Sequence, residues 1–136
     1  MLTVSKECRF EAAHVLTNHA GQCKNLHGHT YRVIAEVAEK ADGADMVIDF
    51  KDLKQVIQEM ILERFDHAFI YNENSASECE IAEVVCKHGM KSVALPFRST
   101  AENLARYFFE ALKAHVKVLS VRVYETPESC AEYAER

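Results

Sequence analysis

Even positions from Leu2 to His14 carry Leu2, Val4, Cys8, Phe10 and Ala12, the odd ones are mainly polar, and Lys6 alone breaks the alternation. A period of two over this length predicts a half-buried strand and puts His14 in phase with the apolar face, at the strand's end. Residues 15–26 lose the period and read as a loop carrying Cys23. Alternation resumes from His27 to about Glu39, with His27, His29, Tyr31, Val33, Ala35 and Val37 on one face. Two strands joined by a loop of about a dozen residues are most simply an antiparallel pair, which sets His14 opposite His27 and His29.

The period then changes. After a turn at 41–45, Phe50, Leu53, Val56, Ile57, Met60, Ile61 and Phe65 form the apolar stripe of a helix over about 50–65, with Asp49 as its N-cap. Asp66-His67 ends that helix, and Ala68-Phe69-Ile70-Tyr71 breaks the helical pattern. Residues 72–97 read as an irregular insert, with room for a short helix over 78–88 stopped by Gly89 and a short strand at 92–95. A last helix is expected from Ser99 or Thr100, because Ser99-Thr100-Ala101-Glu102 has the form of a capping box. Leu119, Val121 and Val123 then alternate with polar residues, Glu125 continues their phase, and a short strand around 130–133 follows. The order predicts the α+β class: an antiparallel sheet with helices on one face.

Composition narrows the function classes. The 136 residues, 49% hydrophobic and 27% charged with four Gly and two Pro, predict a single globular domain over 1–136. A net charge of −5 with dispersed Lys and Arg offers no basic stripe for nucleic acid. No apolar run is long enough to span a bilayer and the start lacks a signal-peptide core, so a cytoplasmic protein is expected. Five cysteines form no paired framework, which favours reduced thiols and makes a conspicuous cysteine a candidate ligand or nucleophile.

The conspicuous one lies in Cys23-Lys24-Asn25-Leu26-His27-Gly28-His29. Three neutral imidazoles converging from His14, His27 and His29 suit a tetrahedral zinc ion with one open position, a Lewis acid towards a hydroxyl or carbonyl oxygen. Gly28 between two ligands fits close approach of another backbone or a substrate. Cys23 is either a fourth ligand that closes the site or a nucleophile or base beside the ion. Asp66-His67 is either an exposed polar pair at a helix end or an acid–base pair. Glu125, a carboxylate in an inward phase, must be paired or desolvated; it either pairs with Arg122 or Lys117 or grips a guanidine-like ligand edge with two parallel hydrogen bonds. Glu102 and Thr100 are accounted for as helix caps.

Taken together, His14, Cys23 three residues before His27-Gly28-His29, Met46-Val47-Ile48-Asp49-Phe50, Asp66-His67, Ser99-Thr100-Ala101-Glu102-Asn103-Leu104-Ala105 and Val123-Tyr124-Glu125-Thr126 resemble the 6-pyruvoyltetrahydropterin synthase family. The short Cys23-to-His27 gap resembles the bacterial, carboxy-forming branch of the queuosine pathway. The resemblance implies a tunnelling fold, a four-stranded antiparallel sheet with two helices on one face, closing into an oligomeric β-barrel as a homo-trimer or hexamer with active sites between subunits. It implies zinc on His14, His27 and His29, Cys23 as general acid or base, Asp66 with His67 as proton relay, and Glu125 with Thr100 nearby on the pterin. The implied substrate is 7,8-dihydroneopterin triphosphate, cleaved with release of triphosphate and acetaldehyde. Two departures bear on substrate range: Arg98-Ser99-Thr100 stands where many members have Asn-Pro-Thr, and the insert is long. Arg98, with Lys24 or Arg32, is a candidate for holding the triphosphate.

Overall fold

The structure, a computed structural model, describes residues 1–40, 43 and 45–136. The turn expected at 41–45 falls partly on Ala41, Asp42 and Ala44, outside the described residues. Strand β1 (Thr3–His14) and strand β2 (His27–Ala38) form an antiparallel pair from Thr3↔Ala38 to His14↔His27. Because facing residues in such a pair share a side, Phe10 meets Tyr31 as a stacked pair with ring centres 4.9 Å apart, and His14 meets His27.

A helical rod follows, built from α1 (Phe50–Ile57), a π turn (Gln58–Leu62) and α2 (Glu63–Phe65). Asp49 caps it, its carboxylate accepting from the Lys51 backbone N–H at 2.8 Å. Leu53, Ile57, Ile61 and Phe65 are buried against the sheet, whereas Phe50, expected in the same stripe, is 54% exposed. Phe50 occupies the first turn, before the rod reaches the core.

The stretch expected as an irregular insert is regular: it holds the short helix and short strand expected at 78–88 and 92–95, with a further strand before them. Residues 68–95 form β3 (Ala68–Asn72), α3 (Ala76–Lys87) and β4 (Ser92–Leu95), a parallel strand–helix–strand crossover with Ile70↔Val93 in register. Gly89, at φ +72, reverses the chain after α3. Helix α4 (Ala101–Lys113) then leads to β5 (Val118–Thr126) and β6 (Ser129–Ala134).

The sheet is therefore six-stranded and mixed, in the order β4-β3-β1-β2-β5-β6, rather than four-stranded and antiparallel. Its β1-β2-β5-β6 part is antiparallel, while β3 and β4 add parallel strands on the β1 side. Helices also lie on both faces, not one. Phe10, Ala12, Ala68 and Ile70 face the main core with the rod and α4; the alternate residues Ala13, Val15, Phe69 and Tyr71 pack with Ile81, Ala82 and Val85 of α3. No helix among the described residues is long and apolar enough to cross a membrane.

Candidate active site

Three imidazoles converge at the open end of the β1–β2 pair. His14 Nε2 lies 3.0 Å from His27 Nε2 and 3.2 Å from His29 Nε2. The far nitrogens decide what those contacts are. His14 Nδ1 is 2.8 Å from the Ser99 carbonyl and His27 Nδ1 is 2.7 Å from the Asn25 carbonyl. A carbonyl only accepts, so each Nδ1 carries the proton and each Nε2 presents a lone pair. Two lone pairs facing each other at 3.0 Å repel, and a cation between them removes the conflict. Nitrogens arranged tetrahedrally around zinc at its usual bond length lie about 3.3 Å apart, close to the spacing here. The described residues thus fit a metal ion at His14, His27 and His29, the one group of three ligand-type side chains gathered among them.

Burial disfavours the charged forms of His14 and His29. His14 is fully buried, and loss of hydration pushes its imidazole down to about 4, against the opposing pull of the Ser99 carbonyl. His29 is lowered too, first by burial and then by His27. Because the folded value of His14 lies below the ordinary 6.5, its contribution to stability is complete above pH 6.5 and is lost as pH falls towards 4. Metal-free protein is accordingly expected to lose about 3 kcal/mol over that window, checked by urea unfolding against pH. A flat profile between 6.5 and 4 in the chelated protein contradicts it.

Gly28 sits between two of the imidazoles, and a side chain there would meet the Ala12 carbonyl oxygen at 3.1 Å, so the neighbouring backbone needs the glycine. On either side of Gly28, His29 and Thr30 two open grooves of about 490 and 580 Å³ diverge. The first contains His67 and Lys91; the second contains Glu125, Arg32 and Tyr124.

Asp66 and His67 stand where the rod ends and β3 begins. His67 adopts φ +64, unusual for a residue with a side chain, and its N–H donates to the Glu11 carbonyl at 2.6 Å. Asp66 Oδ1 accepts from the Glu11 N–H and lies 3.0 Å from His67 Nδ1. The carboxylate fixes the Nδ1–H tautomer, so Nε2 of this 76% exposed side chain is left as a proton acceptor. Lys91 donates to the Asp66 carbonyl at 2.8 Å.

Glu125 is half-buried with Oε2 3.8 Å from His29 Nε2. Burial raises its carboxyl above the usual range, and Glu102 raises it further. The pairing with Arg122 considered from sequence is not made: Arg122 holds Glu132 at 3.2 Å, and Glu125 has no Lys or Arg partner among the described residues. Of the two starts expected for the last helix the structure has Thr100, the N-cap of α4, accepting from the Asn103 N–H at 3.2 Å. Ser99 instead turns inward to His14.

Cys23 sits in a short 3-10 turn (Gln22–Lys24) whose carbonyl accepts from the Leu16 N–H at 2.8 Å. Its sulfur is not part of the histidine group, and neither Cys23 nor Thr100 lines either groove. Of the candidates for anion binding, Arg32 reaches the second groove but is committed to Glu7 at 3.0 Å and to the Tyr124 ring at 3.9 Å. The residues that sequence reasoning missed are Ser99 and Asn25, which act through backbone carbonyls, and Glu11, whose main chain docks Asp66 and His67. Backbone roles leave no side-chain signal.

Known proteins resemble the chain over its whole length. It is 43% identical to 6-carboxy-5,6,7,8-tetrahydropterin synthase of Haemophilus influenzae, covering 99% of this chain and 100% of that one. The Aquifex aeolicus protein of the same name is 37% identical over 97% of each. Among solved structures, 6-pyruvoyl tetrahydropterin synthase of Caenorhabditis elegans matches with a TM-score of 0.70 at 25% identity, covering 99% and 96%. An uncharacterized protein from Wolinella succinogenes matches in fold with a TM-score of 0.84 at 22% identity, covering 99% and 98%. With the family model for 6-pyruvoyl tetrahydropterin synthase matching residues 3–136, the chain belongs to that family.

Proposed function

We propose that this chain is a zinc-dependent lyase that converts 7,8-dihydroneopterin triphosphate and water to 6-carboxy-5,6,7,8-tetrahydropterin, acetaldehyde and triphosphate, the carboxy-forming reaction of the queuosine pathway. The observation that carries it is the meeting of the Nε2 atoms of His14, His27 and His29 beside a half-buried carboxylate, Glu125. The name of the Haemophilus influenzae relative and the three-residue gap between Cys23 and His27 support the carboxy-forming reading.

A divalent ion on the three histidines supplies Lewis acidity towards oxygens of the substrate side chain. Glu125, with no Lys or Arg partner among the described residues, is suited to accept the two-donor edge of the pterin ring, and Thr100 is assigned to the same ligand. His67, oriented by Asp66, takes or returns a proton at a side-chain carbon through Nε2. Cys23 serves the opposite transfer. Separating acid from base in this way lets one carbon skeleton lose triphosphate and then cleave without the two groups neutralising each other. Because Cys23 and Thr100 lie outside both grooves that expose His29, the complete site is proposed to form between subunits of a cytoplasmic homo-oligomer, trimer or hexamer.

Incubating zinc-loaded protein with dihydroneopterin triphosphate tests the reading directly. Stoichiometric acetaldehyde and the mass of the carboxy product are expected. A 6-pyruvoyl product instead assigns triphosphate elimination alone, and tight binding without turnover assigns a pterin-binding module.

A further inference from the structure

One buried acid has no part in the chemistry above. Glu78 is 1% exposed, and its carboxylate has no Lys or Arg partner among the described residues. With α3 starting at Ala76, Ser75-Ala76-Ser77-Glu78 has the form of a capping box in which Glu78 is the third helical residue. Half of that box forms: Ser75 Oγ accepts from the Glu78 N–H at 3.3 Å. The other half does not, because the Ser75 N–H goes to the Asn72 carbonyl at 3.1 Å. The carboxylate is directed away from its own helix. Oε1 accepts from the Asn72 N–H at 3.0 Å, and Oε2 accepts from the Thr17 hydroxyl at 2.6 Å.

Three segments are thereby tied at one point: the end of β3, the start of α3, and the loop leaving His14. Thr17 also contacts Ser75 Oγ at 3.1 Å, and Val15 packs on Phe69 and Ala82 just beneath. The residue before Thr17 then clasps the far side of the loop, since the Leu16 N–H donates to the Cys23 carbonyl at 2.8 Å. Burying a carboxylate on neutral donors is costly compared with an apolar residue of the same size, so such a group earns no place by stability alone and suits a role in fixing geometry.

We propose that Glu78 is a positioning residue for Cys23: through Thr17 it holds the 15–26 loop against α3, so that the Leu16–Cys23 clasp presents the thiol-bearing turn in one place. The inference rests on the reading of Cys23 as a proton-transfer group. A loosened loop misplaces the thiol without touching the metal or the pterin carboxylate. The effect therefore falls on kcat rather than on KM or zinc content.

Thr17→Val removes the hydroxyl at constant shape, Thr17→Ser keeps it, and Glu78→Gln removes the charge. In zinc-loaded protein, Thr17→Val and Glu78→Gln are expected to lower kcat about tenfold with KM within about twofold, and Thr17→Ser to stay near wild type. Iodoacetamide labelling of Cys23, followed by peptide mass, is expected to quicken about threefold in Thr17→Val as the loop opens more often. Wild-type kcat and labelling in Thr17→Val overturn the proposal, and the Thr17 pair decides it even if Glu78→Gln folds poorly. Failure of the underlying reading looks different: Cys23→Ala keeps its turnover while Thr17→Val still changes the labelling rate.

Discussion

His14→Ala is expected to lower metal affinity by more than about a hundredfold and to remove turnover with it, since even partners behind a metal ligand are worth about 10- to 100-fold. His14 is the hub of the group, with its Nε2 within 3.2 Å of both other Nε2 atoms. It is also the buried one, so its loss leaves the Ser99 carbonyl without its imidazole donor and opens a cavity under Tyr31. Two effects must therefore be separated. His29→Ala, at a partly buried position that leaves the His14–Ser99 bond in place, is expected to lose metal with a smaller drop in melting temperature. Metal content after dialysis and thermal unfolding, measured on both variants with and without chelator, check this. Stoichiometric, tightly held zinc in His14→Ala would sink the three-histidine site.

Cys23→Ala carries the second large effect and the opposite signature. The thiol lies outside the histidine group, so the variant is expected to keep its metal while turnover falls by about 10²- to 10⁴-fold, the range for loss of a general acid or base. Metal content and steady-state rates on the same preparation decide it. Loss of metal assigns Cys23 as a fourth ligand; full turnover removes it from the reaction.

The parts of the molecule that were legible in the sequence share one property: each buries a single face. Lys6 apart, the β1–β2 pair alternates because one side meets the core, and its phase placed His14, His27 and His29 together. The rod was legible for the same reason, with polar residues opposite Leu53, Ile57 and Ile61. Strand β3 fails this test. Ala68, Phe69 and Ile70 are all buried, since α3 covers one side of the strand and the main core the other, and a short continuous apolar run carries no period to read. Helix α3 is legible only as a short helix over 78–88, because it touches the sheet with few apolar residues and buries an acid, Glu78. In the site, side chains that act through their own atoms announced themselves, while Ser99 and Asn25 act through carbonyls that any residue type could supply.

The π turn at Gln58–Leu62 bears on how Asp66 and His67 are aimed. Leu53, Ile57, Ile61 and Phe65 recur every fourth residue, and an unbroken α-helix winds about 40° past a full turn in that interval. Three such steps would swing Phe65 about 120° off the line that Leu53 starts. A wider turn in the middle takes up that rotation, and all four side chains reach the same core. The rod thus behaves as a gear with one long tooth: its winding, set eight residues earlier at Gln58, fixes the azimuth at which the chain leaves Phe65 and delivers Asp66 to the Glu11 N–H.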